Sequence, residues 1–169
     1  MPEAIKWGVL TLGAYFLGSV PAAYLAARWS RGIDIRQHGD GNVGSTNLMR
    51  LTSRRIAIPV VIFDLGKGAL MVWTAQLLGL GITQQITVGL AAVIGHNWPV
   101  SLRFNGGKGI FTSLGVISIL APWLGLIILG IAYGLAPFHQ LAVGVFLALI
   151  FAPVAAWFLS QPLDVTDKL

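Results

Sequence analysis

Only 10% of the 169 residues are charged and 56% are hydrophobic, which excludes an ordinary soluble domain with its roughly 25% charged residues and predicts a membrane protein. The absence of cysteine excludes disulfides, thiolate metal sites and cysteine nucleophiles. The net charge of +5 does not indicate nucleic-acid binding, because the basic residues lie in short segments between long apolar runs, a pattern that sets membrane topology.

Five apolar runs, separated by polar or glycine-rich segments, predict the helices. The first run is too long for the core of a secretory signal and is interpreted as a retained helix. Pro122 interrupts the fourth run by removing a backbone donor, so this run forms either one kinked helix or two short ones. The predicted fold class is all-α, a polytopic transmembrane helix bundle of about six spans, with five as the alternative, in a single domain over residues 1–169. The runs cover about residues 5–29, 56–80, 85–102, 110–136 and 140–159.

The basic residues predict which segments face the cytoplasm. The link at 79–85 carries no Lys or Arg, whereas the first loop and its flanks are rich in arginine, as cytoplasmic loops are. Two crossings later the chain returns to the same side with Arg103 and Lys108. Both glycine-rich segments are therefore expected at the cytoplasmic surface of the membrane. The arginines of the first loop and its flanks are Arg28, Arg31, Arg36, Arg50, Arg54 and Arg55.

The first glycine-rich segment, residues 39–50, has the composition of a ligand-binding loop. Its glycines permit tight turns and a close approach of backbone to ligand, and its amide and hydroxyl side chains offer hydrogen bonds. Arg50 adds a charge that suits phosphate. The alternative is a capped surface loop between two spans. The substrate-binding candidates are Gly41, Asn42, Gly44, Ser45, Thr46 and Asn47.

The second segment places the turn 106–109, Gly-Gly-Lys-Gly, immediately before an apolar helix. Such a turn presents free N–H groups at the positive end of the helix dipole, and the lysine, Lys108, favours an anion. The alternative is a helix start whose lysine only sets topology, and the spacing is not that of the P-loop.

Just upstream of this turn, His96 has two interpretations. It is either an acid or base, since histidine titrates near neutral pH, or a structural residue. Asn97 is a further binding candidate.

Asp64 and Lys67 lie inside the second apolar run, where ionisable groups are costly and normally face the protein interior or water. Their i, i+3 spacing places both on one helical face. They form either a structural ion pair near the cytoplasmic end or part of a substrate cleft.

No Ser/His/Asp order and no metal-binding cluster stands out in the sequence, which favours a mechanism without a covalent enzyme intermediate.

An ordered set of short motifs resembles the PlsY family of glycerol-3-phosphate acyltransferases over about residues 17–115. Each motif alone is weak, but the ordered set is specific. The motifs are Gly18-Ser19-Val20-Pro21 with Tyr24, Gly32-Ile33-Asp34-Ile35-Arg36, Gly41-Asn42-Val43-Gly44-Ser45-Thr46-Asn47, Asp64-Leu65-Gly66-Lys67-Gly68, Gly95-His96-Asn97-Trp98-Pro99 and Gly106-Gly107-Lys108-Gly109.

The resemblance implies an inner-membrane enzyme that transfers a fatty acyl group from acyl phosphate to glycerol 3-phosphate, giving lysophosphatidic acid and phosphate in phospholipid biosynthesis. Acyl-CoA and acyl carrier protein are not donors in this family. Membrane lipids surround the enzyme, no cofactor is implied, and a soluble phosphate acyltransferase that makes the donor is the expected functional partner. Because an acyl phosphate is already activated, positioning and charge stabilisation take the place of a protein nucleophile.

The predicted catalytic residues are Lys108, Arg50 and His96. The turn 106–109 is expected to hold glycerol 3-phosphate, while the first segment helps to hold acyl phosphate. The full set of predicted substrate-binding residues is Gly41, Asn42, Gly44, Ser45, Thr46, Asn47, Asp64, Lys67, Asn97, Gly106, Gly107 and Gly109.

Two departures from the family pattern leave alternatives open. Asp40 stands where the family usually has serine, which places a carboxylate beside an anionic substrate. A third polar motif, with Asn, Arg and Glu residues, is not found after Gly115. The alternative is a noncatalytic membrane paralogue that binds lipid precursors or an enzyme partner; a small transporter or a membrane scaffold is a third interpretation.

Overall fold

The structure, a computed structural model, describes residues 2–135, so the last predicted run at 140–159 and the segment searched for a third motif beyond 135 lie outside the described residues. The chain divides into two compact units, Met1–Val116 and Ile117–Leu169. The first unit contains both glycine-rich segments. All regular secondary structure in residues 2–135 is helical, which confirms the all-α prediction for this part, and the single domain stays a prediction.

The described helices follow the predicted apolar runs with two breaks. They are α1 (Glu3–Gly18), α2 (Ala22–Arg31), α3 (Ser45–Leu51), α4 (Arg54–Leu77), α5 (Ile82–Asn97), α6 (Ile110–Leu120) and α7 (Pro122–Leu135), with short 3-10 turns at Ile35–Gln37 and Val100–Leu102. The first run is two helices instead of one, because Pro21 disfavours the helical conformation of the residue before it. The fourth run breaks at Pro122, so the second of its two predicted forms is correct.

The outward face of α4 beyond its first turn is apolar, while the two charged residues in the middle of this helix point inward. Ile58, Ile62 and Leu77 are each more than half exposed, whereas Asp64 and Lys67 are only 2% exposed. Water would favour the opposite arrangement, because burial of apolar side chains drives the folding of soluble proteins. The helix is therefore built to lie in lipid, which tolerates apolar side chains and excludes charged ones.

Two segments are long and apolar enough to cross a membrane: Glu3–Arg31, which combines α1 and α2, and α4. The helix α6 is apolar but shorter. These segments agree with the predicted membrane protein. The count of six or five spans stays a prediction, since the described residues include only part of the predicted set.

Small residues allow the helices of the first unit to approach until backbone touches backbone. A Cβ atom added to any of four glycines would overlap the main chain of the neighbouring helix. Close approach through small residues is typical of helix packing in membranes. These crossings fix the polar residues of α4 and α5 relative to the start of α6. The pairs are Gly18 with Ala92 and Gly95 with Tyr15 between α1 and α5, and Gly68 with Thr112 and Gly115 with Leu65 between α4 and α6.

The first glycine-rich segment is packed onto the helices by an apolar cluster. Ile35, before the segment, and Leu48, within α3, are both fully buried. They pack with Ala27 of α2 and with Ala57 and Val60 of α4. The segment is therefore a fixed part of the first unit, and its polar side chains have defined positions.

Candidate active site

The two glycine-rich segments line a single polar pocket in the first unit. The pocket is partly open, and the space within it, including the part open to solvent, is about 310 Å³. Its lining residues are Asn42, Gly44, Ser45 and Thr46 from the first segment, Asp64 from α4, His96 from α5, Lys108 and Gly109 from the second segment, and Ile110 and Phe111 from α6. Residues that are more than 60 positions apart in the chain thus form one wall, as the expected shared site requires.

Two backbone hydrogen bonds hold the second glycine turn against the end of α5. The N–H of Gly106 donates to the carbonyl oxygen of Asn97, and the N–H of Gly107 donates to that of His96, both at 3.1 Å. A Cβ atom at Gly107 would overlap His96 Nε2 and would lie 2.6 Å from the carbonyl oxygen of Val43. The turn, α5 and the first segment therefore meet at a point that only glycine fits.

Gly109 redirects the chain into α6 and aims the start of this helix at the pocket. Its φ of +74° lies in the left-handed region that glycine adopts without strain. The first N–H groups of a helix have no acceptor within the helix, and Ile110 and Phe111, which begin α6, line the pocket together with the exposed Lys108. A helix dipole and an ammonium group therefore favour an anion at the same place.

Asn47 organises the first segment from within. Its side chain is fully buried. Nδ2 donates to the carbonyl oxygens of His38 at 3.0 Å and Asn42 at 3.1 Å, while Oδ1 accepts from the N–H of Asp40 at 3.3 Å. The side-chain amide of Asn47 is thus occupied by hydrogen bonds to the backbone of the loop. Asn47 does not line the pocket, and its predicted substrate contact stays a prediction.

Arg50 lies at the end of α3 and pairs with the residue that departs from the family pattern. Its Nη1 is 3.6 Å from Asp40 Oδ2, and the two side chains are 65% and 42% exposed. Arg50 is not among the residues that line the pocket. The predicted catalytic arginine therefore lies outside the pocket lining, with an internal carboxylate as its counter-ion.

Asp64, Lys67 and His96 form a buried cluster in the wall of the pocket. Lys67 Nζ lies 2.8 Å from Asp64 Oδ1 and 2.9 Å from His96 Nδ1, and His96 Nδ1 lies 3.5 Å from Asp64 Oδ1. Asp64 and His96 border the pocket, whereas Lys67 lies behind them. The charged pair is therefore an ion pair whose carboxylate borders the pocket, and its predicted place in a substrate cleft stays a prediction.

A bidentate ion pair between Arg36 and Asp34 lies just before the first segment and anchors its start. Arg36 donates to Asp34 through Nη2 at 2.7 Å and through Nε at 3.0 Å, and its guanidinium lies 5.4 Å from the centre of the Tyr24 ring. These hydrogen bonds hold the pKa of Asp34 below its usual range and raise the pKa of Arg36. Sequence reasoning misses this ion pair, although the Asp-x-Arg spacing is a local signal for it.

The predicted site residues separate into those on the pocket wall and those behind it. On the wall lie Lys108, His96, Asn42, Gly44, Ser45, Thr46, Asp64 and Gly109. Outside the lining lie Arg50, Gly41, Asn47, Lys67, Asn97, Gly106 and Gly107. Sequence reasoning missed Ile110 and Phe111, because apolar residues at a helix start carry no binding signal of their own.

Comparison with known proteins identifies the family. A family profile described as Glycerol-3-phosphate acyltransferase matches residues 8–167, well beyond the stretch 17–115 that carries the motifs. Glycerol-3-phosphate acyltransferase 5 of Dehalococcoides mccartyi is 49% identical over 145 residues, which are 86% of this chain and 62% of that protein. A glycerol-3-phosphate acyltransferase of a Thermoanaerobacter species is 45% identical over 126 residues, covering 74% of this chain and 63% of the relative. The chain thus spans about three-fifths of the length of these curated relatives.

The fold agrees with two crystal structures of PlsY, an integral membrane glycerol 3-phosphate acyltransferase. The form with glycerol 3-phosphate superposes with a TM-score of 0.85 at 30% identity, covering 95% of this chain and 80% of PlsY. The form with lysophosphatidic acid gives a TM-score of 0.82 at the same identity and coverage. The chain belongs to the glycerol-3-phosphate acyltransferase family.

Proposed function

We propose that this chain is an inner-membrane enzyme that transfers a fatty acyl group from acyl phosphate to glycerol 3-phosphate, forming lysophosphatidic acid. The observation that carries the proposal is the pocket in which Lys108 and the start of α6 meet the first glycine-rich segment. The crystal forms of PlsY with glycerol 3-phosphate and with lysophosphatidic acid support the acceptor and the product. The donor follows from the family resemblance.

The reaction proceeds by direct attack. The acceptor hydroxyl oxygen bonds to the acyl carbon, the bond from that carbon to the phosphate oxygen breaks, and the hydroxyl proton leaves with the phosphate as hydrogen phosphate. An acyl phosphate is a reactive donor, so the protein has to hold two anionic substrates together. We assign Lys108 and the N–H groups at the start of α6 to glycerol 3-phosphate, and the first segment with Arg50 to acyl phosphate.

An apolar groove on the far side of the buried cluster supports entry of the acyl chain from the bilayer. The groove is open along its length, and the space within it, including the part open to the surroundings, is about 500 Å³. Lys67 Nζ lies 3.4 Å from the carbonyl oxygen of Val20 and 5.6 Å from the centre of the Phe63 ring. Since Val20 and Phe63 line the groove, the cluster separates an apolar compartment for the tail from the polar pocket. The lining residues are Val20, Ala22, Leu25, Ala26, Trp29, Pro59, Val60 and Phe63.

The pocket belongs on the cytoplasmic side in this proposal. Trp29 is 81% exposed and lies at the end of α2 between Arg28 and Arg31. Tryptophan is enriched at membrane interfaces, and arginine is enriched on the cytoplasmic side. A soluble phosphate acyltransferase in the cytoplasm would then deliver the donor to the face that holds the polar pocket.

The test is lysophosphatidic acid formation by the purified full chain in lipid or detergent, from acyl phosphate and radiolabelled glycerol 3-phosphate, with acyl-CoA as the comparison donor. We expect product from acyl phosphate and none from acyl-CoA. Lys108→Ala should lower the rate about 10²–10³-fold, as loss of one charge-stabilising group does. Lys6→Ala, which changes a lysine in α1 outside the pocket, is the matched control and should keep the wild-type rate.

One observation favours the alternative of a noncatalytic paralogue that binds lipid precursors. Asp40 already supplies Arg50 with a carboxylate, where an active enzyme needs the arginine for phosphate. The same preparation decides between the two functions. Glycerol 3-phosphate binding without product, from protein whose melting curve shows a cooperative transition, would establish the paralogue and overturn the enzyme.

A further inference from the structure

The buried ammonium of Lys67 has three acceptors around it. Nζ lies 2.8 Å from Asp64 Oδ1, 2.9 Å from His96 Nδ1 and 3.4 Å from the carbonyl oxygen of Val20. The Lys67 side chain is only 1% exposed. An ammonium group has three N–H donors and no acceptor, so Lys67 donates to His96 Nδ1 and to the carbonyl oxygen of Val20. Its contact with Asp64 Oδ1 is an ion pair without hydrogen-bond geometry.

This arrangement determines which nitrogen of His96 carries the proton. Because the ammonium can only donate, His96 Nδ1 has to accept, and the single hydrogen of a neutral imidazole then lies on Nε2. A proton on Nδ1 would require a neutral lysine as its acceptor, although a lysine in water holds its proton about four pH units more strongly than a histidine. Asp64 further stabilises the ammonium, since its oxygen is nearer to Nζ than to the ring. The tautomer thus follows from the hydrogen-bond network.

The protonated nitrogen, His96 Nε2, belongs to the part of the ring that faces the second glycine turn. His96 lines the pocket, and Nε2 lies so close to Gly107 that a Cβ atom there would overlap it. Within residues 2–135, no protein group accepts a hydrogen bond from Nε2. The N–H group is therefore available to an oxygen atom of a molecule bound in the pocket.

We propose that Lys67 is a positioning residue that fixes His96 as the Nε2–H tautomer, so that His96 donates a hydrogen bond to a phosphate oxygen of the bound substrate. His96 then stabilises charge and does not remove the acceptor proton, because Nδ1 is occupied by Lys67 and Nε2 already carries hydrogen. The choice of a phosphate oxygen rests on the proposed function. The assignment of the tautomer does not rest on the proposed function.

The tautomer is measured by NMR on the full chain with ¹⁵N-labelled histidine in detergent micelles at about pH 8.5, well above the range in which histidine is charged. Two-bond ¹H–¹⁵N correlations distinguish Nε2–H from Nδ1–H, and the spectrum of His96→Gln identifies the His96 signals. His38 is an internal reference for the opposite form, since its Nδ1 lies 2.9 Å from the carbonyl oxygen of Asp34, which can only accept. We expect Nε2–H at His96; Nδ1–H there would overturn the proposal.

The role of Lys67 is tested in the same spectra. Lys67→Met should release Nδ1, which then takes the proton and donates to Asp64, whereas Lys67→Arg keeps a cationic donor and should keep the Nε2–H pattern. An unchanged tautomer in Lys67→Met would overturn the positioning role. Should Lys67→Met fail to fold, the wild-type and Lys67→Arg spectra still carry the test.

Measurements of acyl-transfer activity distinguish a hydrogen-bond donor from a general base at His96. Glutamine places an amide N–H close to the position of Nε2 and is no base, so His96→Gln should keep the rate within about tenfold, while His96→Ala should lose about 10²–10³-fold. Equal large losses in both variants would indicate a base and refute the donor role. Because the NMR result does not require turnover, a chain with Nε2–H and no acyl transfer would refute the proposed function and leave the tautomer intact.

Discussion

The carboxylate of Asp40 lies 3.6 Å from the guanidinium of Arg50, and both side chains are exposed. An ion pair of this kind contributes only about 0.2–1 kcal/mol. A substrate phosphate carries more charge than a carboxylate and can therefore displace it. Asp40 therefore competes with the substrate phosphate for Arg50.

Replacement of Asp40 by serine should remove this competition. We expect Asp40→Ser to lower the KM for the phosphate-bearing donor by up to about fivefold, the equivalent of about 1 kcal/mol, with kcat little changed. The effect should shrink at high salt, which screens exposed charges. Steady-state kinetics at two ionic strengths check this, with Glu3→Gln, which removes an exposed carboxylate of α1 outside the pocket lining, as the control. A raised KM in Asp40→Ser would contradict the prediction.

Gly107→Ala should abolish the proposed acyl transfer without loss of the helical fold. The added Cβ atom would overlap His96 Nε2 and press on the carbonyl oxygen of Val43, which pushes the turn out of place. A misplacement of about 1 Å costs on the order of 10²-fold in rate. The matched control is Gly13→Ala in α1, where a Cβ atom meets nothing within 4 Å. Near-normal rates for Gly107→Ala would show that the turn position does not matter.

Asn47→Asp should destabilise the first segment more than it alters the chemistry. The Nδ2 group that donates to His38 and Asn42 becomes an oxygen that faces two carbonyl oxygens. We expect a loss of about 3 kcal/mol, the cost of an unsatisfied buried group that carries charge. Thermal melting in detergent measures it, with Met49→Ala on the exposed side of α3 as the control. A melting temperature equal to that of the wild type would refute the structural role of Asn47.

The Asp34–Arg36 pair predicts loss of stability in acid. The pKa of Asp34 is lower in the folded chain than its reference value of 3.8, so its contribution is fully present above the unfolded pKa and disappears as the pH falls through the folded one. We expect Asp34→Asn to lower the melting temperature by a few degrees at pH 6 and to lose this effect as the pH falls below about 4. A difference that persists unchanged at pH 3 would contradict the assignment.

The glycine-rich turn and the charged pair could be predicted from local sequence, because their chemistry follows from short spacings. Gly106 to Gly109 precede an apolar run, and Asp64 and Lys67 lie three residues apart. Hydropathy does not indicate the break at residues 19–21, because the apolar run continues through it, although Pro21 is a local signal for a break. Hydropathy measures affinity for lipid and says little about helix continuity.

The position of His96 beside Lys67 could not be predicted, because 29 residues separate them and the contact depends on how α5 crosses its neighbours. That crossing depends on backbone contacts of glycines whose partners are distant in the chain. The burial of Asn47 is a similar case, since the sequence shows an amide in a polar loop and not the carbonyl oxygens around it. Sequence patterns identify chemical groups, whereas the three-dimensional packing decides which of them reach the pocket.

The glycines at the helix crossings also restrict how this protein can be engineered for stability. Glycine-to-alanine changes in a helix interior commonly add about 0.4–1 kcal/mol. At Gly8 and Gly66 a Cβ atom would meet nothing within 4 Å, whereas at Gly18 and Gly95 it would overlap a neighbouring main chain. Thermostable versions for biochemical work should therefore come from the outward-facing glycines, and random mutagenesis should recover almost no tolerated change at the crossings.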